Sequence, residues 1–238
     1  MLYTDVFEGG LDIKRLATAV VVLVVLTLAM GSAAAASGTW DSFDRVDGPM
    51  GLTATGLPWS AVNSTWGVRA QQASLLTTRY ADTLAYAVVN GGVSSAFTVS
   101  ADVRLSPTFQ RANGGLTVLF ASGNNNIFCK TEVTHANPSG LMSIGRRLSG
   151  RTTSLLASIR NTGFVNGGLY HVTCGRTGDV ITMTVTGGGV GPLSVSYTLT
   201  SADRSAFGSA TLVGLRSHVF TDEDDRLTSY DNFAVTIG

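Results

Sequence analysis

Hydrophobic residues recur at every second position in short runs along the chain from Trp40 onward. Successive side chains of a β-strand point to opposite faces, so this period predicts strands with one face against a core and the other toward water. The clearest runs are Phe97, Val99, Ala101, Val103 and Leu105; Leu116, Val118 and Phe120; Ile181, Met183 and Val185; Leu193, Val195, Tyr197 and Leu199; and Phe233, Val235 and Ile237.

Residues that tolerate positive φ separate these runs and predict turns. They are Asn90-Gly91-Gly92, Asn113-Gly114-Gly115, Asn124-Asn125-Asn126, Gly178-Asp179 and Gly187 to Gly191. Strands at this spacing, about a dozen in all and with no helical stretch between them, are typical of a sandwich or jelly roll. We therefore expect an all-β fold, an antiparallel β-sandwich that forms one domain over residues 37–238.

Composition supports this interpretation and excludes one class of partner. Hydrophobic residues make up 44% of the chain, which is enough for a sizeable core. Charged residues make up 13%, about half of the usual share. The formal net charge is zero, and no basic patch stands out, so nucleic acid is not an expected partner.

Residues 1–36 have the pattern of a membrane-targeting segment. Lys14 and Arg15 precede an uncharged apolar run from Leu16 to Met30, and small residues follow it. This order is typical of a secretory signal peptide with cleavage near Ala36. The alternative is an uncleaved N-terminal hydrophobic helix, because residues 16–36 are just long enough to cross a bilayer. Both predict a secreted or cell-surface protein that meets the membrane only through this segment.

The two ends of the remaining chain carry recognisable motifs. They are Trp40-Asp41-Ser42-Phe43-Asp44-Arg45-Val46-Asp47-Gly48, Gly51-Leu52, Pro58-Trp59, Thr65-Trp66-Gly67-Val68 and Tyr230-Asp231-Asn232-Phe233-Ala234-Val235. Together they resemble the concanavalin A-like, laminin G-like jelly rolls of secreted actinobacterial proteins and phage minor tail proteins. The resemblance implies two curved antiparallel sheets of about six or seven strands each. It also implies a concave face often used to hold glycans and, in many members, a structural calcium ion.

Asp231 is the carboxylate on which the metal prediction depends. Counting by twos from Phe233 places it on the core side of the last strand, where an isolated charge is too costly. It therefore needs a partner, either Arg45 in a salt bridge or a calcium ion. The resemblance implies calcium at Asp231, with Asp41 or Asp44 nearby.

Cys129 and Cys174 are the two cysteines of the chain. Cys129 shares a strand face with Ile127 and Val133, and Cys174 shares one with Val172, so both cysteines are predicted to point inward. An exported chain would allow a disulfide between them. The alternative is a pair of buried thiols packed as small apolar residues.

A catalytic site is not predicted. Glycoside hydrolysis needs two carboxyl groups facing one bond, but the chain after residue 36 has two glutamates, Glu132 and Glu223, of which Glu132 has no acidic residue two or three positions away and Glu223 lies in an acidic run between predicted strands. Glu132 lies two residues after Lys130, so both side chains lie on the face opposite Cys129. This spacing predicts an ion pair along one strand.

Arg146, Arg147 and Arg151 form the one local basic cluster, beside a Ser-Gly turn. They are predicted either to contact an anionic partner or to keep a sheet edge soluble. Three functions follow from these observations. The first is a non-catalytic module that binds a glycan or a cell-envelope surface. The second is a structural protein of a phage virion, a minor tail or decoration protein that contacts other virion proteins. The third is a glycan hydrolase without the usual paired carboxylates.

Overall fold

The computed structural model describes residues 38–78, 83–107, 111–150, 154–219 and 228–238. Within these ranges the chain forms sixteen strands and one helix. In chain order they are β1 (Thr39–Asp41), β2 (Gly48–Pro49), β3 (Ser60–Val62), β4 (Ser64–Arg69), β5 (Gln72–Thr78), β6 (Thr83–Asn90), β7 (Ala96–Arg104), β8 (Arg111–Ser122), β9 (Asn125–Thr134), β10 (Asn137–Arg147), β11 (Ser154–Arg160), β12 (Leu169–Thr177), β13 (Val180–Gly187), β14 (Val190–Thr198), α1 (Ser201–Phe207), β15 (Leu212–Val219) and β16 (Ser229–Ile237).

The strands form two antiparallel sheets. The nine-stranded sheet has the order β14-β13-β12-β7-β16-β5-β4-β2, and β1 pairs with β16 beside β5. The seven-stranded sheet has the order β11-β10-β9-β8-β15-β6-β3. This arrangement confirms the predicted all-β, antiparallel two-sheet sandwich, with one sheet larger than the six or seven strands expected.

The core lies between the two sheets and uses most of the predicted faces. The prediction that Phe120 shares a face with Leu116 and Val118 is wrong, because a β-bulge after Thr117 turns Phe120 to the other face, beside Tyr86. Phe97, Val99, Ala101 and Val103 alternate with partly exposed residues along β7 and are buried. On the opposite sheet, β9 contributes Cys129, which forms a disulfide with Cys174 of β12 across a Cα–Cα distance of 6.1 Å. The covalent link therefore joins one sheet to the other through the core.

The turn predicted at Asn113-Gly114-Gly115 is wrong, because these residues lie inside β8. A Cβ on Gly114 would stand 2.8 Å from a methyl group of Thr228 and 3.2 Å from the hydroxyl of Tyr230. A Cβ on Gly115 would overlap the carbonyl oxygen of Cys129 on the neighbouring strand. Glycine is needed at both positions because neighbouring elements lie very close to the strand here. Asn-Gly-Gly is also typical of turns, so the sequence suggested a turn.

The helix α1 was not predicted by the alternation, and it has its own sequence signal. Thr200 is the N-cap, and its side chain accepts a hydrogen bond from the backbone N–H of Asp203, 3.2 Å away. The Asp203 carboxylate in turn accepts a hydrogen bond from the backbone N–H of Thr200, which completes a capping box. Phe207 at the end of the helix is buried in the core.

The N-terminal hydrophobic helix and the boundary at residue 36 fall outside the described residues, so the signal peptide or membrane anchor stays a prediction. Among the residues that are described, no helix has both the length and the apolar character to cross a membrane.

Candidate functional site

The outer face of the seven-stranded sheet carries a polar network that is buried although it points away from the core. Along β9, Ile127 and Cys129 belong to the core cluster, whereas Phe128, Lys130 and Glu132 alternate with them and face outward. Lys130 is 9% exposed and Glu132 is 6% exposed. Ionic side chains buried to this degree need partners, so their hydrogen bonds define the site.

Glu132 is the centre of the network. Its Oε2 accepts hydrogen bonds from the Lys130 ammonium group, which confirms the predicted ion pair, and from Asn113 Nδ2 at 3.0 Å. Its Oε1 accepts from Asn137 Nδ2 at 2.9 Å. Arg216 donates to Asn113 Oδ1 at 2.8 Å, and Arg160 donates to Asn137 Oδ1. One chain of polar contacts thus runs from the 1%-exposed Arg216 to the exposed rim at β11.

The aromatic ring of Phe128 lies beside this network. A Cβ on Gly145 of β10 would overlap the ring of Phe128, so the absent side chain leaves room for that ring to lie against the strand. The Arg216 guanidinium lies 4.2 Å from the centroid of the same ring, within the range of a cation–π contact. On the far side, Asn126 Nδ2 donates to the hydroxyl of Tyr86 at 3.2 Å.

The electrostatics of the network keep its one carboxylate ionised. Burial by itself would raise the pKa of Glu132, but the attraction of Lys130 and hydrogen bonds from Lys130 and Asn137 outweigh it, so the pKa is lowered. Burial lowers the pKa of Lys130, Glu132 opposes this change, and Arg216 adds to it. A carboxylate with a lowered pKa is a poor general acid at neutral pH. The seven strands also contain no second carboxylate that could act with Glu132.

The predicted arginine cluster is divided. Arg146 pairs in register with the core residue Ile127 and forms an ion pair with Asp203 of α1 at 2.6 Å. Arg147 pairs in register with Asn126 and therefore lies on the outer face, half-buried, beside the polar network. Arg151 falls outside the described residues. The structure thus brings Arg147 to the candidate site and assigns Arg146 a structural contact.

Asp41 and Arg45 of the opening motif bind each other. Two guanidinium nitrogens of Arg45 donate to the two carboxylate oxygens of Asp41, at 2.7 and 3.0 Å. The backbone N–H of Phe43 and the indole N–H of Trp59 complete the shell of Asp41, at 2.9 and 2.8 Å. One sequence prediction paired Arg45 with Asp231 in a salt bridge. That prediction is wrong, because Arg45 binds Asp41 instead.

The placement of Asp231 on the core side is also wrong. The pairing of β16 with β7 shifts between Asp231 and Ala234, and Asn232 has φ +49°. This bulge inserts one residue between the core positions Tyr230 and Phe233, so counting by twos fails. Asp231 instead pairs with Asp102 on the outer face of the nine-stranded sheet. Its pKa is raised by burial and by repulsion from Asp44, Asp102 and Asp41.

These side chains meet calcium's requirements only in part. Asp41 has both oxygens engaged by four donors, so it does not fit the role of a ligand. Asp102 accepts from Asn232 Nδ2 at 2.8 Å and lies 2.7 Å from the His171 ring. No group of three or more His, Cys, Asp or Glu side chains arranged to hold a metal occurs among the described residues. Calcium at Asp231 and Asp44 remains a prediction.

Sequence reasoning missed most of the polar network. Arg216 stands in the run Leu212 to Val219, where Val213 and Leu215 are buried in the core, and a cation between apolar neighbours was a usable signal. Asn113 was hidden because the two glycines after it suggested a turn. No pattern in one strand could show that Lys130 on β9 and Arg216 on β15 share a face across β8, because that depends on sheet order.

Comparison by sequence found no matching family model and no matching curated protein. Comparison by structure found many similar chains. A carbohydrate-binding module from Bacillus subtilis is 15% identical, with a TM-score of 0.56 over 75% of this chain and 94% of that chain. The CBM2 module of the evolved Dit of Lactobacillus casei BL23 phage J-1 is 12% identical, with a TM-score of 0.58 over 83% of this chain and 95% of that one.

A xylan β-1,4-xylosidase from Bacillus halodurans C-125 is 14% identical, with a TM-score of 0.57 over 83% of this chain. The match covers 39% of the xylosidase, so this chain corresponds to a part of that enzyme, whereas the two modules are matched along nearly their whole lengths. At these identities the similarities establish architecture. The chain has the concanavalin A-like jelly-roll fold that the end motifs predicted.

Proposed function

We propose that this protein is a non-catalytic glycan-binding β-sandwich whose ligand lies on the outer face of the seven-stranded sheet. The observation that carries the proposal is the polar network on that face. Amide, guanidinium, ammonium and carboxylate groups converge there beside the ring of Phe128, within hydrogen bonds that fix their positions. Phe128 is fully buried, so its ring supports the network, and the polar groups that the network holds at its rim suit a hydroxyl-rich ligand.

The accessible part of this face is its rim along β10 and β11. Asn137 and Arg147 are half-buried, and Ser158 and Arg160 are exposed. The buried members of the network hold these rim groups in place, as supporting residues do in preorganised sites. Binding is therefore expected along the rim rather than at the centre of the sheet.

Further observations support a non-catalytic, extracellular role. The pKa of Glu132 is lowered, and its strand neighbours supply no second carboxylate, which disfavours the hydrolase alternative. The disulfide between Cys129 and Cys174 is the kind of bond that persists outside the cytosol. The apolar N-terminal segment is consistent with export. The solved carbohydrate-binding module that resembles this chain adds support from fold.

A glycan array with the purified protein tests binding, and a reducing-sugar assay on each bound glycan tests cleavage. We expect binding without release of reducing ends. Release would support a hydrolase, and an array without any bound glycan would refute the proposal.

Two adjacent arginines give matched variants. Arg147→Gln should weaken binding by about tenfold, because it removes a cation from the rim and keeps a polar side chain there. Arg146→Gln should lower stability through Asp203 and leave the affinity of the folded protein unchanged. Equal effects of the two substitutions on affinity would place the site elsewhere.

A virion structural protein is the second candidate, because the phage Dit module is matched over 95% of its length. It predicts that the chain copurifies with phage particles and retains residues 1–36. A native protein that lacks these residues and is recovered from culture supernatant without particles would contradict it.

A further inference from the structure

We propose that the glycan held on the outer face of the seven-stranded sheet is acidic and is recognised through its carboxylate groups. This inference rests on the proposed function and narrows the class of ligand. It starts from an unequal distribution of charge in a chain whose formal net charge is zero.

The strands of the seven-stranded sheet contain six Lys or Arg residues and one carboxylate, Glu132. The cations are Arg111, Lys130, Arg146, Arg147, Arg160 and Arg216. The strands of the nine-stranded sheet contain three Arg and three Asp residues and are balanced. Asp203 of α1 neutralises Arg146, and the strands of the seven-stranded sheet still contain more cations than carboxylates, which favours an anionic ligand there.

The interior of the network repeats this imbalance. Lys130 and Arg216 share one carboxylate, Glu132, whose two oxygens already accept bonds from Lys130, Asn113 and Asn137. Arg216 is attracted to Glu132 and is linked to it by hydrogen bonds through Asn113. Within this described network two cations face one carboxylate, and the excess positive charge favours a counter-anion.

Unused donors lie beside these cations. Among the described residues, Arg216 Nε and Ser143 Oγ are buried without a hydrogen-bond partner. Ser143 pairs in register with Lys130 on the neighbouring strand, so the two side chains lie on the same face. These donors are buried, so they add to the positive field that favours an anion at the rim, where Arg147 and Arg160 can be reached by a ligand.

The accessible cations flank this region. Arg160 pairs in register with Leu141 at one end of β10, and Arg147 lies at the other end of that strand. At ~3.3 Å per residue, the six steps from Leu141 to Arg147 span about 20 Å. Arg147 is half-buried and Arg160 is exposed, so a ligand can reach both guanidinium groups. Two cations at this separation suit a chain with several acidic sugars rather than a single small anion.

Isothermal titration of the full-length protein with oligogalacturonate and with its methyl ester tests the inference, because esterification removes the charge and keeps the sugar. We expect the acid to bind about tenfold more tightly than the ester and to lose this advantage at high salt. Arg160→Gln should weaken binding of the acid by about tenfold, whereas Arg104→Gln, on the nine-stranded sheet, should not change it.

The remaining outcomes would overturn either the carboxylate assignment alone or both proposals. Equal affinity for the acid and the ester, or tighter binding of a neutral glycan, would overturn the carboxylate assignment and leave the proposed function in place. Tighter binding of a sulfated galactan than of oligogalacturonate would also overturn it. Failure of every glycan, on the array and in titration, would overturn both.

Discussion

Asp203 tests how the end of the sandwich is held together. Its carboxylate is 1% exposed and accepts bonds from Arg146 at 2.6 Å, from the Tyr197 hydroxyl at 2.6 Å and from the Thr200 hydroxyl at 2.7 Å. Burial would raise the pKa of Asp203, but these hydrogen bonds outweigh it and lower the pKa from 3.8 to about 2. Asp203→Asn keeps the shape of the side chain and removes the charge that these donors favour.

The expected loss of stability in Asp203→Asn follows from the lowered pKa of Asp203. The interval from 3.8 to about 2 corresponds to about 2.4 kcal/mol at 1.36 kcal/mol per pH unit, and solvent screening at the partly exposed Arg146 reduces our expectation to about 1–2 kcal/mol. The folded protein holds fewer protons than the unfolded chain in that interval. The stabilisation is therefore complete above the unfolded pKa and is lost as the pH falls from 3.8 toward about 2.

Urea denaturation of the wild type and Asp203→Asn across the acid range measures the difference. We expect a loss of about 1–2 kcal/mol at pH 7 that shrinks toward zero at the acid end. Asp179→Asn is the matched control, because Asp179 pairs with Arg204 at 2.8 Å while both side chains are exposed; it should cost less than ~0.5 kcal/mol. A loss that is independent of pH, or no larger than the control's, would refute the reasoning.

Three further predictions follow from contacts described above. Replacing Cys129 and Cys174 by Ala should lower the free energy of unfolding by about 4 kcal/mol on a chain-entropy estimate. The mass of the native protein before and after reduction would show the bond, because reduction adds two hydrogens; equal masses would exclude it. Tyr230→Phe should cost about 1–2 kcal/mol in thermal denaturation, because the Tyr230 hydroxyl donates to the Arg216 carbonyl at 2.5 Å across the core; an unchanged melting temperature would contradict that bond. The pKa of Asp231 is raised, so its charge lowers stability as the pH rises, and Asp231→Asn in chelator should gain up to ~1 kcal/mol at pH 7. A calcium-dependent loss in the same variant would instead establish the metal site.

The alternation of residues was enough to predict the sandwich, because each strand buries one face and period two records that directly. Phe97 to Val103 and Ile181 to Val185 lie as their patterns indicated. The errors have local causes. Asn232 introduces a bulge that reverses the face of Asp231, and Gly114 marks a close approach that imitates a turn.

The candidate site was predictable only where it lies within one strand. Lys130 and Glu132 are two residues apart on β9, so their ion pair could be predicted from spacing. Arg216 and Asn113 join them through strands that are far apart in sequence, and strand order is set by tertiary packing. The separation of Arg146 from Arg147 follows from alternation, but the identity of the Arg146 partner depends on where α1 docks.

The place of β16 in the nine-stranded sheet has a consequence for how the chain is made. This last strand lies between β7 on one side and β5 and β1 on the other, so it joins segments from the beginning and the middle of the domain. The sheet cannot close until residue 237 has been synthesised, and such non-local pairing is slow. The nascent domain therefore stays open during its synthesis, with apolar strands that have not yet found their partners in the sheet.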